Sequence, residues 1–128
     1  MTQEEKQPVF KDLCARLPYG VKVRNVKNNF DINNFNHNVE EIKILIEEYN
    51  IKPYLRPMSS MTEREKEEFQ YIAGGKILDN CIVRDGYGIN YDTISKIEDW
   101  LNAHHFDYRG LIEKGLALEA LEYMYKTE

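Results

Sequence analysis

The chain has 128 residues, with 17 basic and 22 acidic side chains and a formal net charge of −5. With 42% hydrophobic and 12% aromatic residues it can bury one core, which excludes wholesale disorder and predicts a single α+β domain over residues 1–128. No apolar run is long enough to span a membrane, residues 1–7 do not resemble a signal peptide, and the acidic charge disfavours non-specific nucleic-acid binding. These observations predict a cytoplasmic protein without a membrane partner.

The first predicted elements are one helix and two short strands. Apolar residues recur at i, i+3, i+4 and i+7 from Phe10, which predicts a helix over residues 8–17 with Pro8 in its first turn. Apolar and polar side chains then alternate at residues 21–24 and again at residues 30–32. Each alternation is typical of a half-buried strand.

Residues 39–49 fit two periods. Alternate isoleucines and a high β-branched content favour a strand. The same residues also fit one face of a helix, and Asn38 with Glu41 resembles a capping box. We predict a strand and keep the helix as the alternative. The prolines in residues 53–57 predict an extended, irregular segment after it.

The clearest local signal is a Thr-x-x-Glu capping box formed by Thr62 and Glu65, which predicts a helix over residues 62–73. Two glycines follow and are expected to end this helix. An Asp-Gly pair between two strand-like runs then predicts a β-hairpin at residues 82–89.

The last third is predicted to be mainly helical. Apolar spacing indicates a helix over residues 92–105, and Asp107 is expected to cap a shorter helix that Gly115 ends. Residues 116–121 form an apolar tail that should pack on the core. The fold class is therefore α+β, with short antiparallel strands and three to four helices.

The two cysteines, Cys14 and Cys81, have apolar neighbours and no C-x-x-C spacing. They are expected to be buried, reduced thiols, with a disulfide or a catalytic thiol as the alternatives. No metal-ligand motif is present, so no metal or cofactor is predicted.

Reactive side chains cluster around the end of the helix predicted at residues 92–105, and a short basic strand provides a second group. Imidazole and guanidinium groups next to aromatic rings are suited to binding an anion. The structural alternative is that the histidines satisfy the helix C-terminus, that the arginine forms an ion pair, and that the basic strand is an ordinary polar face. The candidate ligand-binding residues are Trp100, His104, His105, Tyr108, Arg109, Lys22 and Arg24.

Three segments carry a family resemblance: LPYGV at residues 17–21, IKPYLRPMSSMTE at residues 51–63 and DWLNAHHFDYRGLIEKGLALEA at residues 99–120. The chain resembles a family of small proteins encoded by gut bacteria of the Bacteroides type and by their phages. Residues 25–50 do not share the resemblance. It implies a small accessory protein of a bacterium, prophage or phage, and it assigns no catalytic residue.

The leading functional hypothesis is a non-enzymatic binding protein of phage or mobile-element type. Its partner would be a host protein or a small anionic, nucleotide-like ligand, and it would counteract host defence. One alternative is a small hydrolase or phosphodiesterase that uses His104 or His105 as its base. The other is a structural or oligomerisation module with an exposed apolar patch around residues 118–125, in which case a homo-oligomer is expected.

Overall fold

The computed structural model describes the backbone of residues 2–73, 75–78, 81–84 and 91–125, and the side chains of those ranges except for residues 73–93. The described part of the chain contains four α-helices and six strands, which confirms the α+β class. The elements are α1 (Gln3–Arg16), β1 (Val23–Asn25), β2 (Phe30–Ile32), α2 (Val39–Tyr49), β3 (Ile51–Leu55), α3 (Glu63–Ala73), β4 (Gly75–Leu78), β5 (Cys81–Arg84), α4 (Tyr91–Ala103) and β6 (Leu118–Glu119).

The main sheet has the strand order β2-β1-β3-β6. Strand β1 is antiparallel to β2 and to β3, whereas β6 is parallel to β3. The strands predicted near residues 21–24 and 30–32 are confirmed as β1 and β2. The segment predicted to be irregular contains β3, whose Pro53 lies opposite Val23.

Helix α1 begins earlier than predicted. Thr2 and Glu5 form a complete capping box, so the helix starts at Gln3 and Pro8 lies inside it instead of in its first turn. The capping box supplies partners for free amides at the N-terminus, and this fixes the start of the helix more strongly than the proline does.

The strand predicted at residues 39–49 is wrong, because these residues form α2. Asn38 and Glu41 make both hydrogen bonds of a capping box, at 2.9 and 3.2 Å. Ile42 and Ile46 are buried on one face, whereas Ile44 between them is 52% exposed. This is the burial expected of helical spacing, since residues i and i+4 share a face.

Helix α3 confirms the predicted capping box and end. The Glu65 backbone N–H donates to Thr62 Oγ1 (3.2 Å), and the Thr62 N–H donates to Glu65 Oε1 (2.9 Å). The described hairpin pairs β4 with β5, so β5 has an antiparallel partner that precedes it. Of the hairpin predicted at residues 82–89, residues 85–89 lie outside the described part of the chain.

Helix α4 ends where predicted, but the short helix predicted after Asp107 is wrong. Residues 111–115 form turns, and the Asp107 carboxylate accepts hydrogen bonds from the backbone N–H groups of Leu111 (2.8 Å) and Ile112 (3.0 Å). The predicted apolar tail packs on the core through Leu116, which is buried, and continues into β6.

Two apolar clusters hold these elements together. The first joins α1, α2 and the main sheet to residues 111–117, and the second lies between α3 and α4 and contains Phe69, Trp100 and Phe106. No helix within the described ranges combines the length and apolar character needed to cross a membrane.

Candidate ligand-binding recess

The end of α4 is a Schellman turn that fixes the direction of both histidines. The N–H of Phe106 donates to the Leu101 carbonyl (3.0 Å), and the N–H of His105 donates to the Asn102 carbonyl (3.1 Å). His105 takes the left-handed position of this turn, with φ = 60°, where glycine is usual. The backbone of His105 therefore completes the C-terminus of α4, as the structural alternative expects.

Trp100 belongs to the core and not to a surface. Its ring lies against Phe69 (centroids 5.4 Å apart), Phe106 (5.7 Å) and His104 (4.1 Å). Its contribution to a site is to support the imidazole of His104 by stacking. A direct role of Trp100 in ligand binding stays a prediction.

Tyr108 and Arg109 are engaged in a network with Asn102 and Asp12. The Tyr108 hydroxyl donates to Asn102 Oδ1 (3.0 Å), and the Arg109 guanidinium lies over the Tyr108 ring at 4.5 Å. Arg109 also pairs with Asp12 at 2.7 Å, and Asp12 in turn holds the fully buried Arg16. These contacts occupy the groups that the sequence offered for anion binding, and a ligand-binding role of Tyr108 and Arg109 stays a prediction.

Arg24 in β1 and Lys22 immediately before β1 have different surroundings. Arg24 is held by Asp31 (2.8 Å), by Asn29 and by the hydroxyl of Tyr54 (3.5 Å). Lys22 forms no ion pair among the described residues, and its ammonium lies 5.9 Å from the centroid of the Tyr125 ring. Lys22 is therefore the basic side chain of this strand that is available to a ligand.

His104 lies beside a buried ion pair. Its Nδ1 is 3.3 Å from Glu65 Oε2. The Glu65 carboxylate accepts hydrogen bonds from both terminal nitrogens of Arg56, at 2.7 and 2.8 Å. Burial acts to raise the pKa of Glu65, but the hydrogen bonds from Arg56 and Thr62 outweigh it and lower that pKa to about 2. Glu65 is therefore an ionised carboxylate, and in this form it orients the imidazole of His104.

Tyr125 docks on the sheet through its hydroxyl. The Lys22 backbone N–H donates to this hydroxyl (2.7 Å), and the hydroxyl donates to the Tyr54 carbonyl (2.9 Å). Its ring stacks on His105 with centroids 3.9 Å apart and planes 18° apart. Burial raises the pKa of Tyr125 well above its ordinary value, so the hydroxyl keeps its proton.

These groups surround one open recess of about 320 Å³, which we call the cationic recess. Of the predicted site residues, Lys22, His104 and His105 line it, whereas Trp100, Tyr108, Arg109 and Arg24 do not. Both imidazoles thus face one concavity with a carboxylate in hydrogen-bond reach of His104, the geometry that the hydrolase alternative requires. The aromatic and charged or titratable side chains that line the cationic recess are Tyr19, Lys22, Arg56, His104, His105 and Tyr125.

His105 is a neutral imidazole in this setting. Burial, followed by the positive charge of Arg16, lowers its pKa to about 3. Its ring accounts for part of the wall of the recess, and its Nδ1 is buried without a hydrogen-bond partner. His105 is therefore suited to stacking and unsuited to binding an anion by charge.

Two residues of the recess were missed in the sequence. Arg56 lies in a run that predicted only an extended chain, and its partner Glu65 carried only a capping signal. Tyr125 and Tyr123 had indistinguishable surroundings in sequence, yet the first is docked and the second is 75% exposed.

The described part of the chain gives little support for a metal site or for a reactive thiol. Among the described side chains, no three His, Cys, Asp or Glu residues come together as a cation site. Cys14 is a free, partly buried thiol, and burial raises its pKa, which disfavours the reactive thiolate. The side chain of Cys81 lies outside the described part.

The chain was also compared with known proteins. No protein-family model matches the sequence, and neither a curated protein nor a solved structure matches the chain.

Proposed function

We propose that the protein is a binding protein that holds the anionic group of a small ligand in the cationic recess. The observation that carries this proposal is the Lys22 ammonium, which has no counter-ion among the described residues and shares the recess with His104. A charge-assisted hydrogen bond from each group would hold a phosphate or carboxylate oxygen.

The other basic wall residue, Arg56, contributes little net charge to the recess. Arg56 forms part of its wall and keeps its guanidinium fixed on Glu65, so the local charge of that pair is close to zero. The Arg56 guanidinium also packs over the Phe106 ring at 4.2 Å, which prevents it from swinging toward a ligand. Lys22 is thus the group expected to dominate affinity for an anion.

The test is calorimetric titration with inorganic phosphate and pyrophosphate. Lys22→Gln and His104→Gln should each weaken binding by about tenfold or more, the loss of one charge-assisted hydrogen bond. Lys27→Gln is the matched control, because its ammonium lies 5.8 Å from the Tyr49 ring and not at the recess. Equal losses in the Lys22 and Lys27 variants, or no binding to the wild-type protein, would refute the proposal.

A second candidate function is hydrolysis with His104 as general base, favoured by its contact with Glu65. The described lining of the recess has no serine, threonine or cysteine, so water would be the nucleophile. Wild-type protein should then hydrolyse bis(p-nitrophenyl) phosphate, and His104→Gln should abolish turnover without changing the free energy of unfolding. Absence of turnover in the wild-type protein would exclude this candidate for phosphodiesters.

The biological setting follows from the resemblance to Bacteroides-type and phage proteins, and it is part of the proposal. The ligand would be a host metabolite or signal that the protein removes from a defence response. A host protein remains the alternative partner. Affinity capture from a Bacteroides lysate with wild-type protein and with Lys22→Gln separates the two, since loss of a captured protein in the variant would place that partner at the recess.

A further inference from the structure

Tyr125 occupies a slot whose walls belong to other parts of the chain. One wall is the His105 ring, and the end of the slot is formed by the backbone N–H of Lys22 and the carbonyl of Tyr54. We call these three groups the phenol slot. It adjoins the cationic recess, because Lys22 and His105 of the slot and its occupant Tyr125 all line that recess.

The phenol slot exists because the ladder between β1 and β3 is interrupted. The Tyr54 N–H donates to the Lys22 carbonyl (2.9 Å), as expected next to the Val23–Pro53 pair. The reciprocal bond from the Lys22 N–H to the Tyr54 carbonyl is replaced by the Tyr125 hydroxyl, which bridges the two groups. The slot therefore presents one main-chain donor beside one main-chain acceptor.

The walls of the slot are fixed without Tyr125. Lys22 and Tyr54 are held by the β1–β3 pairing, and His105 is held by the Schellman turn. By contrast, the segment that leads to Tyr125 is mostly exposed. The Ala120 N–H donates to the Leu55 carbonyl (2.8 Å), and beyond it Leu121 and Tyr123 are largely exposed. For another group to enter the slot, the contacts of Tyr125 itself are therefore the ones that have to break.

A nucleobase has the chemistry that this slot selects. It has a flat face that stacks on aromatic side chains, and its edge places a hydrogen-bond acceptor next to a donor, as in the ring nitrogen and amino group of adenine. The acceptor matches the Lys22 N–H and the donor matches the Tyr54 carbonyl. The neutral His105 ring supplies the stacking surface.

We propose that the phenol slot and the cationic recess together bind a nucleoside monophosphate, with the base displacing Tyr125 and the phosphate at Lys22 and His104. This inference rests on the proposed anion site and names its ligand class. The recess of about 320 Å³ adjoins a second one of about 380 Å³, and Tyr125 lines both. Displacement of Tyr125 therefore joins two spaces whose sizes lie in the range of small-molecule sites.

The charges of the second recess fix the orientation of the ligand. Glu119 and Glu122 line it together with Ser60 and Thr62, and the one cationic lining residue, Arg56, is paired with Glu65. A phosphate would be repelled there, whereas the ribose hydroxyl groups of a nucleoside would find acceptors. The phosphate accordingly lies on the Lys22 side and the nucleoside extends past the position of Tyr125.

The test compares AMP, adenosine and inorganic phosphate by calorimetry on the full chain. Tyr125→Ala removes the internal competitor, so the affinity for AMP relative to that for inorganic phosphate should rise at least about fivefold over the wild-type ratio. Adding His105→Asn to that variant keeps a residue that tolerates the left-handed backbone but removes the stacking surface. The ratio of AMP affinity to phosphate affinity should then fall at least about fivefold, the lower bound for stacking one base. Tyr123→Ala is the control and should leave the wild-type ratio unchanged.

A second measurement covers the case in which Tyr125→Ala does not fold. In wild-type protein with isotope-labelled tyrosine, AMP should shift the Tyr125 ring resonances toward those of an exposed tyrosine, and phosphate should not. Phosphate binding with no additional affinity for AMP and no shift of Tyr125 would overturn this inference and leave the anion site standing. Failure of phosphate and AMP alike would overturn both. Binding of AMP and adenosine without phosphate would support the slot and refute the anion site.

Discussion

The hydroxyl of Tyr125 offers the sharpest test of the structure through the substitution Tyr125→Phe. This change keeps the ring on His105 but removes the group that bridges the Lys22 N–H and the Tyr54 carbonyl. A buried backbone group left without a partner costs about 1–3 kcal/mol. Two groups lose partners here, but they can partly bond to each other as in a regular ladder. We therefore expect the free energy of unfolding to fall by about 2 kcal/mol.

Urea unfolding measures this loss, and amide hydrogen exchange locates it. The Lys22 amide should exchange about 30-fold faster in Tyr125→Phe, which is the same 2 kcal/mol expressed as an equilibrium constant. Tyr123→Phe is the matched control, since Tyr123 is 75% exposed and its hydroxyl has no described bond; it should change stability by less than about 0.5 kcal/mol. Wild-type stability and wild-type Lys22 protection in Tyr125→Phe would refute the bridging role.

Three other perturbations have defined outcomes. The pKa of His105 is about 3 in the folded protein and near 6.5 in the unfolded chain, so on acidification the unfolded state binds the proton first. The free energy of unfolding, measured with urea, should therefore fall by up to about 2 kcal/mol from pH 6.5 to pH 5. His105→Asn should remove that component. Asp12→Ala leaves the fully buried Arg16 without its carboxylate and should cost at least about 3 kcal/mol or prevent folding, as measured by thermal unfolding; a loss below 1 kcal/mol would contradict the buried pair. Asn38→Ala removes the hydrogen bond to the Glu41 N–H and should cost about 1 kcal/mol, whereas an unchanged urea midpoint would deny the cap.

Local signals in the sequence predicted the fold where one pattern excluded the others. The capping box at Thr62 and Glu65 specifies a helix start by chemistry that no strand shares, and it is confirmed. At residues 39–49 alternate isoleucines satisfied two periods at once. The capping box at Asn38 decided the outcome, and the β-branched content misled because tertiary burial of Ile42 and Ile46 overrides weak propensity.

The candidate site was predictable only in part, because its members come from distant segments. His104 and His105 were found from their position at a helix end, and Lys22 from the basic strand. Their convergence depends on β3 placing Arg56 next to Phe106 and on the docking of Tyr125, contacts that span 50 to 103 residues in the chain. No local pattern encodes such pairings, and for the same reason the pairing of Arg109 with Asp12, 97 residues away, was not found.

Pro53 has a consequence for how the backbone donors of the sheet are satisfied. It lies opposite Val23 in a pair without mutual hydrogen bonds, so an amide at this position would point away from β1, on the side where β6 pairs only with Tyr54 and Leu55. Pro53 is itself buried, so such an amide would have neither a strand partner nor water. The proline has no N–H, and a residue that looks like an interruption of the sheet thus spares the interior an unsatisfied donor.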